Sequence, residues 1–243
     1  MIYNNVVSGR FVSRPNRFIA IVDVDGAEQM CHVKNTGRCR ELLVPGASVF
    51  LEVSSNPNRK TKYDLISVYK GDNLINIDSQ ASNKVFNEWL NENKLFNDIK
   101  LVKPETKYGT SRFDFYIEAD GKKIFAETKG VTLEENGTAM FPDAPTERGR
   151  KHLVELSDSV RHGYDAYVVF IIQMSGVKVF KPNIRTDLTF AKDLKKASES
   201  GVKIIAFDSM VTEISLKRND YIPVLFDSIV FYYITHFLFI LPN

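Results

Sequence analysis

Two carboxylates and a lysine stand at a spacing that can hold a divalent cation. The stretch Ser111-Arg-Phe-Asp-Phe-Tyr-Ile-Glu-Ala-Asp-Gly-Lys-Lys-Ile-Phe-Ala-Glu-Thr-Lys129 carries Asp120-Gly121 between alternating apolar residues, which predicts a two-residue hairpin. With those residues as the turn, Ala119 pairs with Lys122, Ile117 with Ile124, Phe115 with Ala126 and Asp114 with Glu127. Alternation then predicts a core face of Phe113, Phe115, Ile117, Ile124, Ala126 and Thr128. The opposite face carries Arg112, Asp114, Tyr116, Phe125, Glu127 and Lys129. Opposed residues have Cβ atoms about 4.5–5.5 Å apart, and like charges so placed repel. Asp114 and Glu127, with Lys129 one step on, therefore call for a cation. The competing reading is a solvated hairpin face neutralised by Arg112, Lys123 and Lys129. The tripeptide Glu-x-Lys carries no weight alone, because Glu92-Asn-Lys94 and Glu105-Thr-Lys107 repeat it; the register carries it.

The elements around this hairpin change character near residue 80. Before it, Arg17–Asp25, Gln29–Val33, Ser48–Val53 and Tyr63–Tyr69 read as short strands, punctuated by Asp25-Gly26, Asn35-Thr-Gly37, Val44-Pro-Gly46 and Asn56-Pro-Asn58. Short strands at close spacing predict a small OB-like barrel, with Arg38–Leu43 as a short helix within it. After residue 80, Val85, Phe86, Trp89 and Leu90 predict an amphipathic helix capped by Ser82 or Asn83. A strand at Ile99–Val102 leads through Pro104–Gly109 into the hairpin, and Gly130–Ala144 reads as a loop. A helix over Thr146–His162 has Pro145 before its cap and Gly163 after its end. Ala166–Ile172 is a continuous apolar run, read as a strand buried on both faces. A helix over Asp187–Ser200 and strands at Val202–Phe207 and Val211–Leu216 complete a mixed sheet flanked by helices.

The net charge of +2 excludes a general polycation. Ten Lys/Arg stand against eight Asp/Glu up to residue 80, and 22 against 22 beyond it, so any nucleic-acid surface is a local patch. Cys31 and Cys39 lack C-x-x-C spacing, which argues against zinc. The first residues do not read as a signal peptide, and a reducing cytoplasm is the expected compartment. The apolar run Ile229–Leu241 is shorter than the roughly 20 residues of a membrane span, so no membrane partner is expected.

The strand order, with an acid on the second strand and Glu-x-Lys on the third, resembles the PD-(D/E)xK nuclease fold. Asn35-Thr-Gly37, Lys107-Tyr-Gly109, Ser111-Arg-Phe-Asp-Phe115, Glu127-Thr-Lys-Gly-Val-Thr-Leu133 and Phe141-Pro-Asp-Ala-Pro-Thr-Glu-Arg-Gly-Arg-Lys-His-Leu153 together resemble the sugar fermentation stimulation protein A family. The resemblance implies an OB-like domain over residues 1–80 and a nuclease-like domain over 81–226. The apolar tail, 227–243, departs from the family pattern. The family resemblance also implies sequence non-specific DNA binding and a link to sugar use, especially maltose; RNA and an oligomer stay open.

On that footing Asp114, Glu127 and the carbonyl of Thr128 are expected as ligands of Mg²⁺ or Mn²⁺. Lys129 is expected to orient or deprotonate the attacking water, and Glu105 to offer a carboxylate for a second metal. Arg148, Arg150 and Lys151, with His152 beside them, lie near a helix N-terminus that favours phosphate. In the barrel Arg14, Arg17, Lys34, Arg38 and Arg40, with Tyr3, Phe11 and Phe18 among them, are expected to track a strand by charge and stacking. The alternative is a non-catalytic DNA-binding regulator; no helix-turn-helix is legible.

Overall fold

The computed structural model describes residues 1–226 apart from Thr36, Asn93 and Lys94, so the apolar tail lies outside the described residues. Six strands form the first sheet: β1 (Val6–Asn16), β2 (Ile19–Val24), β3 (Ala27–Val33), β4 (Ser48–Val53), β5 (Tyr63–Lys70) and β6 (Asn73–Asn76). Their order is β3-β2-β1-β4-β5-β6, and a β3–β5 pairing closes a five-stranded barrel. The β2–β3 turn is Asp25-Gly26, both at positive φ (54° and 83°), the geometry that two-residue hairpins favour.

Past the barrel come α1 (Ala81–Asn91), β7 (Ile99–Tyr108), β8 (Ser111–Ala119), β9 (Lys122–Val131), β10 (Leu133–Glu135), β11 (Thr138–Phe141), α2 (Glu147–Arg161), β12 (Asp165–Ile172), β13 (Val179–Pro182), α3 (Leu188–Glu199), β14 (Lys203–Thr212) and β15 (Ser215–Tyr221). The main sheet runs β15-β14-β12-β9-β8-β7. β7, β8 and β9 form an antiparallel meander, whereas β9–β12 and β12–β14 are parallel. Parallel neighbours need a crossover, and α2 and α3 lie in the two connections. This is the mixed, helix-flanked sheet that the order of elements predicts. β12 is buried almost throughout, as its uninterrupted apolar run predicts for a central strand.

One buried cluster joins the barrel interior (Phe11, Val22, Leu51, Leu65) to the α2–α3 side of the sheet (Phe113, Phe125, Leu153, Phe190). A second gathers α1 (Val85, Phe86, Trp89, Leu90) on the other face with Phe115, Ile117, Ile124 and Val169. Met1 and Tyr3 join this second cluster, and the Tyr3 N–H donates to the carbonyl of Ile214 at 2.8 Å.

Several expectations are corrected here. Arg38–Leu43 forms a turn, with the Leu43 amide bonded to the Cys39 carbonyl, not a helix. The residue before α1 is Gln80 and offers no side-chain cap; Ser82 and Asn83 lie inside the helix. β7 continues through Pro104, and the expected loop after the hairpin holds β10 and β11, which pair with β13 in a three-stranded sheet. The last strand begins at Ser215 rather than at Val211, which belongs to β14 and pairs with Leu216. β1 was not anticipated: Gly9 and Pro15 dilute its strand signal, yet Gly9 is where β1 packs tightly on β2. A Cβ there would stand 2.6 Å from Val22 Cγ1.

Candidate active site

The hairpin has the register expected from Ala119↔Lys122 to Phe115↔Ala126, and Asp120 and Gly121 both take positive φ. The β8–β9 ladder ends there, and side chains take over its bonds. The Asp114 amide donates to Glu127 Oε2 at 3.4 Å, and the Thr128 amide donates to Asp114 Oδ2 at 2.8 Å. Each carboxylate thus holds a main-chain donor on the other strand, and both converge on the gap between them. This is not the simple opposed pair that alternation predicts. Asp114 also accepts from Thr128 Oγ1 (2.9 Å) and from Asn83 Nδ2 of α1 (3.1 Å). Glu127 is bonded instead to Lys129 Nζ and to His152 Nδ1 of α2, the latter at 2.5 Å.

The face assignment changes at the same point. Phe113 does not share a core with Phe115: it packs 5.2 Å from Phe125 and 5.9 Å from His152, ring centre to ring centre. Across from this switch in β7 lies Glu105, between the pairs Pro104↔Phe115 and Thr106↔Phe113, with φ 52°. The hairpin face expected to be wet is therefore covered, because α2 and the rings of Tyr108, Tyr116 and Tyr164 close over Phe125.

Glu127 is 3 % exposed. Burial alone pushes its carboxyl up, but the Lys129 ammonium and the His152 hydrogen bond outweigh that and hold it below the usual range. His152, itself buried, donates from Nδ1 to Glu127 and accepts from Arg148 Nε at Nε2 (3.5 Å). A run Arg148–His152–Glu127–Lys129 results. Sequence reasoning saw His152 only as a neighbour of basic residues, and missed Asn83. For His152 the legible signal was its i+4 spacing from Arg148 on one helix face.

The remaining expected residues are distributed as follows. Glu105 is exposed, and no group of three or more His, Cys, Asp or Glu side chains gathers at metal-holding geometry among the described residues, so Glu105 does not join Asp114 and Glu127. Arg148 and Lys151 are exposed at the start of α2, and Lys151 donates to the Thr110 carbonyl. Arg150 is half-buried, with its Nε unpaired. The α2 N-terminus is already served. Thr146 Oγ1 accepts from the Gly149 amide, and Asp187 Oδ2 accepts from the Thr146 amide.

Arg14 donates to the carbonyls of Gly37, Arg38, Arg17 and Asn35, so it shapes the loop that presents Arg38 and Arg40. Asp143 neither caps α2 nor meets Glu127; its Oδ2 accepts from the Arg38 amide at 3.0 Å. Tyr3 and Phe11 are buried and Lys34 is enclosed by acids, which removes all three from any stacking surface, whereas Phe18 is exposed.

Gly130 follows Lys129 on β9. A Cβ there would stand 2.3 Å from Gln173 Oε1. Gln173 has little room to yield, because its Nε2 donates to Asn76 Oδ1 (2.7 Å) and the Asp78 carbonyl (2.9 Å). Gly130→Ala is expected to lower unfolding free energy by about 1–3 kcal/mol, the usual cost of overpacking, read from urea denaturation.

A closed barrel followed by a nuclease-like sheet, with carboxylates and a lysine where its hairpin strands part, defines a two-part protein of known architecture. Family models described as the SfsA N-terminal OB domain and the Sugar fermentation stimulation protein RE domain match residues 12–77 and 80–215. The chain belongs to the sugar fermentation stimulation protein family. It is 57 % identical over 225 residues to a sugar fermentation stimulation protein homolog of Clostridium beijerinckii, covering 93 % of this chain and 100 % of the relative. A homolog from Desulfitobacterium hafniense is 58 % identical over 224 residues, covering 92 % and 98 %. Among solved structures, that of Pyrococcus furiosus SfsA in complex with Ca²⁺ matches with a TM-score of 0.83 at 31 % identity, covering 93 % of this chain and 98 % of that one. No helix among the described residues is long and apolar enough to cross a membrane.

Proposed function

We propose that this chain is a Mg²⁺- or Mn²⁺-dependent phosphodiesterase that binds nucleic acid without sequence preference. The observation that carries the reading is the convergence of Asp114 and Glu127 on one inter-strand gap, with Lys129 bonded to Glu127. The donors suit a hard cation: two carboxylates, with the Thr128 carbonyl beside them, match the one or two protein carboxylates that Mg²⁺ usually takes alongside water and substrate phosphate. A related protein solved with Ca²⁺ is in keeping with an oxygen-ligand site. Asp114, Glu127 and the Thr128 carbonyl would hold the ion, which would supply Lewis-acid polarisation of the phosphate and activation of water.

The rest falls to the chain's own groups. Asn83 and the Thr128 hydroxyl fix the Asp114 carboxylate, and His152 fixes Glu127. The Lys129 ammonium has three N–H bonds, of which Glu127 takes one. The others can orient the attacking water and offset charge developing on a phosphate oxygen.

The test is incubation of the purified protein with single-stranded DNA, duplex DNA and RNA in Mg²⁺, Mn²⁺ or EDTA. Cleavage in either metal and none in EDTA is expected. Neither cleavage nor calorimetric metal binding would leave a DNA-binding protein on a nuclease scaffold. That second reading draws on the Lys129 and His152 contacts, which already balance Glu127 without a metal. Arg148 and Lys151, exposed at the head of α2, together with the half-buried Arg150, would contact phosphates rather than bases. Their joint replacement by Ala should weaken DNA binding equally across sequences and flatten its salt dependence by up to about 0.9 per lost contact on duplex. Unchanged affinity would remove α2 from the binding surface.

A further inference from the structure

Between the barrel and the main sheet lies a cavity of about 800 Å³. Arg14, Arg17, Arg38 and Arg40 line its barrel side; Gly130–Leu133 and Met140–Thr146 line the other. Asp143 is the one acid among these lining residues, and its Oδ2 is taken by the Arg38 amide. Arg17, Arg38 and Arg40 are exposed, and their guanidinium groups hold no ion pair among the described residues. The cavity is thus lined for an anion. Phe141, Met140 and Leu43 add apolar wall, which an inorganic anion would not need and a nucleobase would. Gly130 and Val131 on its wall follow Lys129 on β9, so the cavity runs along the strand that carries the proposed site.

We infer that this cleft is the path of a single unpaired nucleic-acid strand, with its phosphates on Arg17, Arg38 and Arg40, its bases against Phe141, Met140 and Leu43, and its course along β9 toward the proposed site. Size selects the single strand. A cavity of about 300–1,000 Å³ is of drug or nucleotide size, and only bases free of a duplex can enter it to meet its apolar wall. A positively charged groove with apolar faces for the bases is the usual recipe for binding single strands regardless of sequence. Asp143 and Arg14 act as positioning residues here. Together they hold the loop that carries Arg38, where Gly37 is required because a Cβ would lie 2.4 Å from Asp143 Oδ2.

The inference rests on the proposed phosphodiesterase for the chemistry at Lys129, but binding can be measured without it. Fluorescence anisotropy of the full chain in EDTA would compare a labelled oligothymidylate with a blunt hairpin duplex of equal length. The single strand should bind at least ~10-fold more tightly. The double variant Arg38→Ala/Arg40→Ala should erase that preference and lower the salt slope for the single strand by about 0.7 per arginine. Equal affinity for duplex and single strand in the unaltered chain, or an unaltered slope in the double variant, would overturn the inference.

A second measurement blocks the cleft directly. Ala144→Cys places a thiol on its wall, while Cys31 and Cys39 are buried and pushed up to about 12 by burial and nearby acids. A bulky maleimide therefore labels the new thiol alone. Labelling should cost the oligothymidylate at least ~10-fold in affinity against the same variant unlabelled; no loss would overturn the inference. Binding as described without cleavage in Mg²⁺ or Mn²⁺ would sink the phosphodiesterase and leave the cleft standing. Cleavage with no single-strand preference would do the reverse.

Discussion

Asp114→Asn is expected to abolish metal-dependent cleavage, with a loss of at least ~100-fold, while nucleic-acid binding in EDTA stays within about twofold. Changing a group that merely supports a ligand already costs about 10–100-fold in metal affinity or activity, and Asp114 would be a ligand itself. The amide keeps the shape of the carboxylate but loses its negative charge and half its accepting capacity. Asp114 accepts from the Thr128 amide and hydroxyl and from Asn83. An asparagine can keep the first of these, and Asn83 can turn its own amide to accept from the new one. The apo protein should therefore lose no more than about 1 kcal/mol, a fall of about 2–4 °C in Tm for a chain of this size. Opposed like charges alone would predict unchanged or slightly higher stability, but the cross-strand bonds show that the Asp114 charge is already well served without a metal. Full cleavage by the variant would remove Asp114 from the chemistry. A collapse in Tm would assign it to the fold instead.

That revision marks where the amino-acid pattern stops being informative. Local rules read the Asp120-Gly121 turn and the register out to Phe115↔Ala126, because positive φ at two residues and strict alternation are properties of adjacent residues. They also read α2 from its Thr146 cap to Gly163, and β12 from its apolar run. They failed at Asp114, where carboxylates replace ladder bonds and Phe113 changes sides. Nothing in a period-two pattern registers a strand pair that parts. Asn83 and His152 were missed as site residues because each reaches the site across the fold, 31 positions from Asp114 and 25 from Glu127. The same distance separates what Arg14 and Lys34 look like from what they do. In the chain they are two more cations in a basic barrel. In the structure Arg14 is held by four carbonyls and Lys34 by acids, so only Arg17, Arg38 and Arg40 of that set remain available to a ligand. The short strands β6, β10 and β11 escape notice for a related reason: three- and four-residue pieces gain their order from neighbours rather than from propensity.

Lys34 is where the stability of the fold and the shape of the cleft meet. Its ammonium lies 3.2 Å from Asp64, 3.4 Å from Asp78 and 3.8 Å from Glu52. Its side chain is 13 % exposed, against 6 % for Asp64 and none for Asp78. Burial by itself would lower the lysine pKa, but Asp78 and Asp64 outweigh it and push it above the ordinary range. Lys34→Met keeps the volume and strands buried carboxylates, a change that usually costs about 3–5 kcal/mol. Urea denaturation at neutral pH should show that loss.

The acid limb should move as well. Burial raises the Asp64 carboxyl, but Arg59 and Lys34 more than reverse this and bring it from 3.8 to about 2. A folded pKa below the unfolded one means that the stabilisation is complete above about pH 4 and drains away as pH falls toward 2. At neutral pH it is worth about 2 kcal/mol. Without Lys34, Asp64 keeps only part of that shift, through Arg59, so the variant should unfold at a higher pH on acidification.

The consequence reaches the cleft. Asp78, the partner Lys34 would abandon, gives its carbonyl to Gln173, and the Ser79 hydroxyl donates to the Lys34 carbonyl. Gln173 in turn abuts Gly130, next to Lys129. If the network is rigid, Lys34→Met should also weaken oligothymidylate binding although the Lys34 ammonium is held by acids and is not among the residues that line the cleft. A variant that loses under about 1 kcal/mol, with its acid limb unmoved, would mean that water already shares the load on these carboxylates.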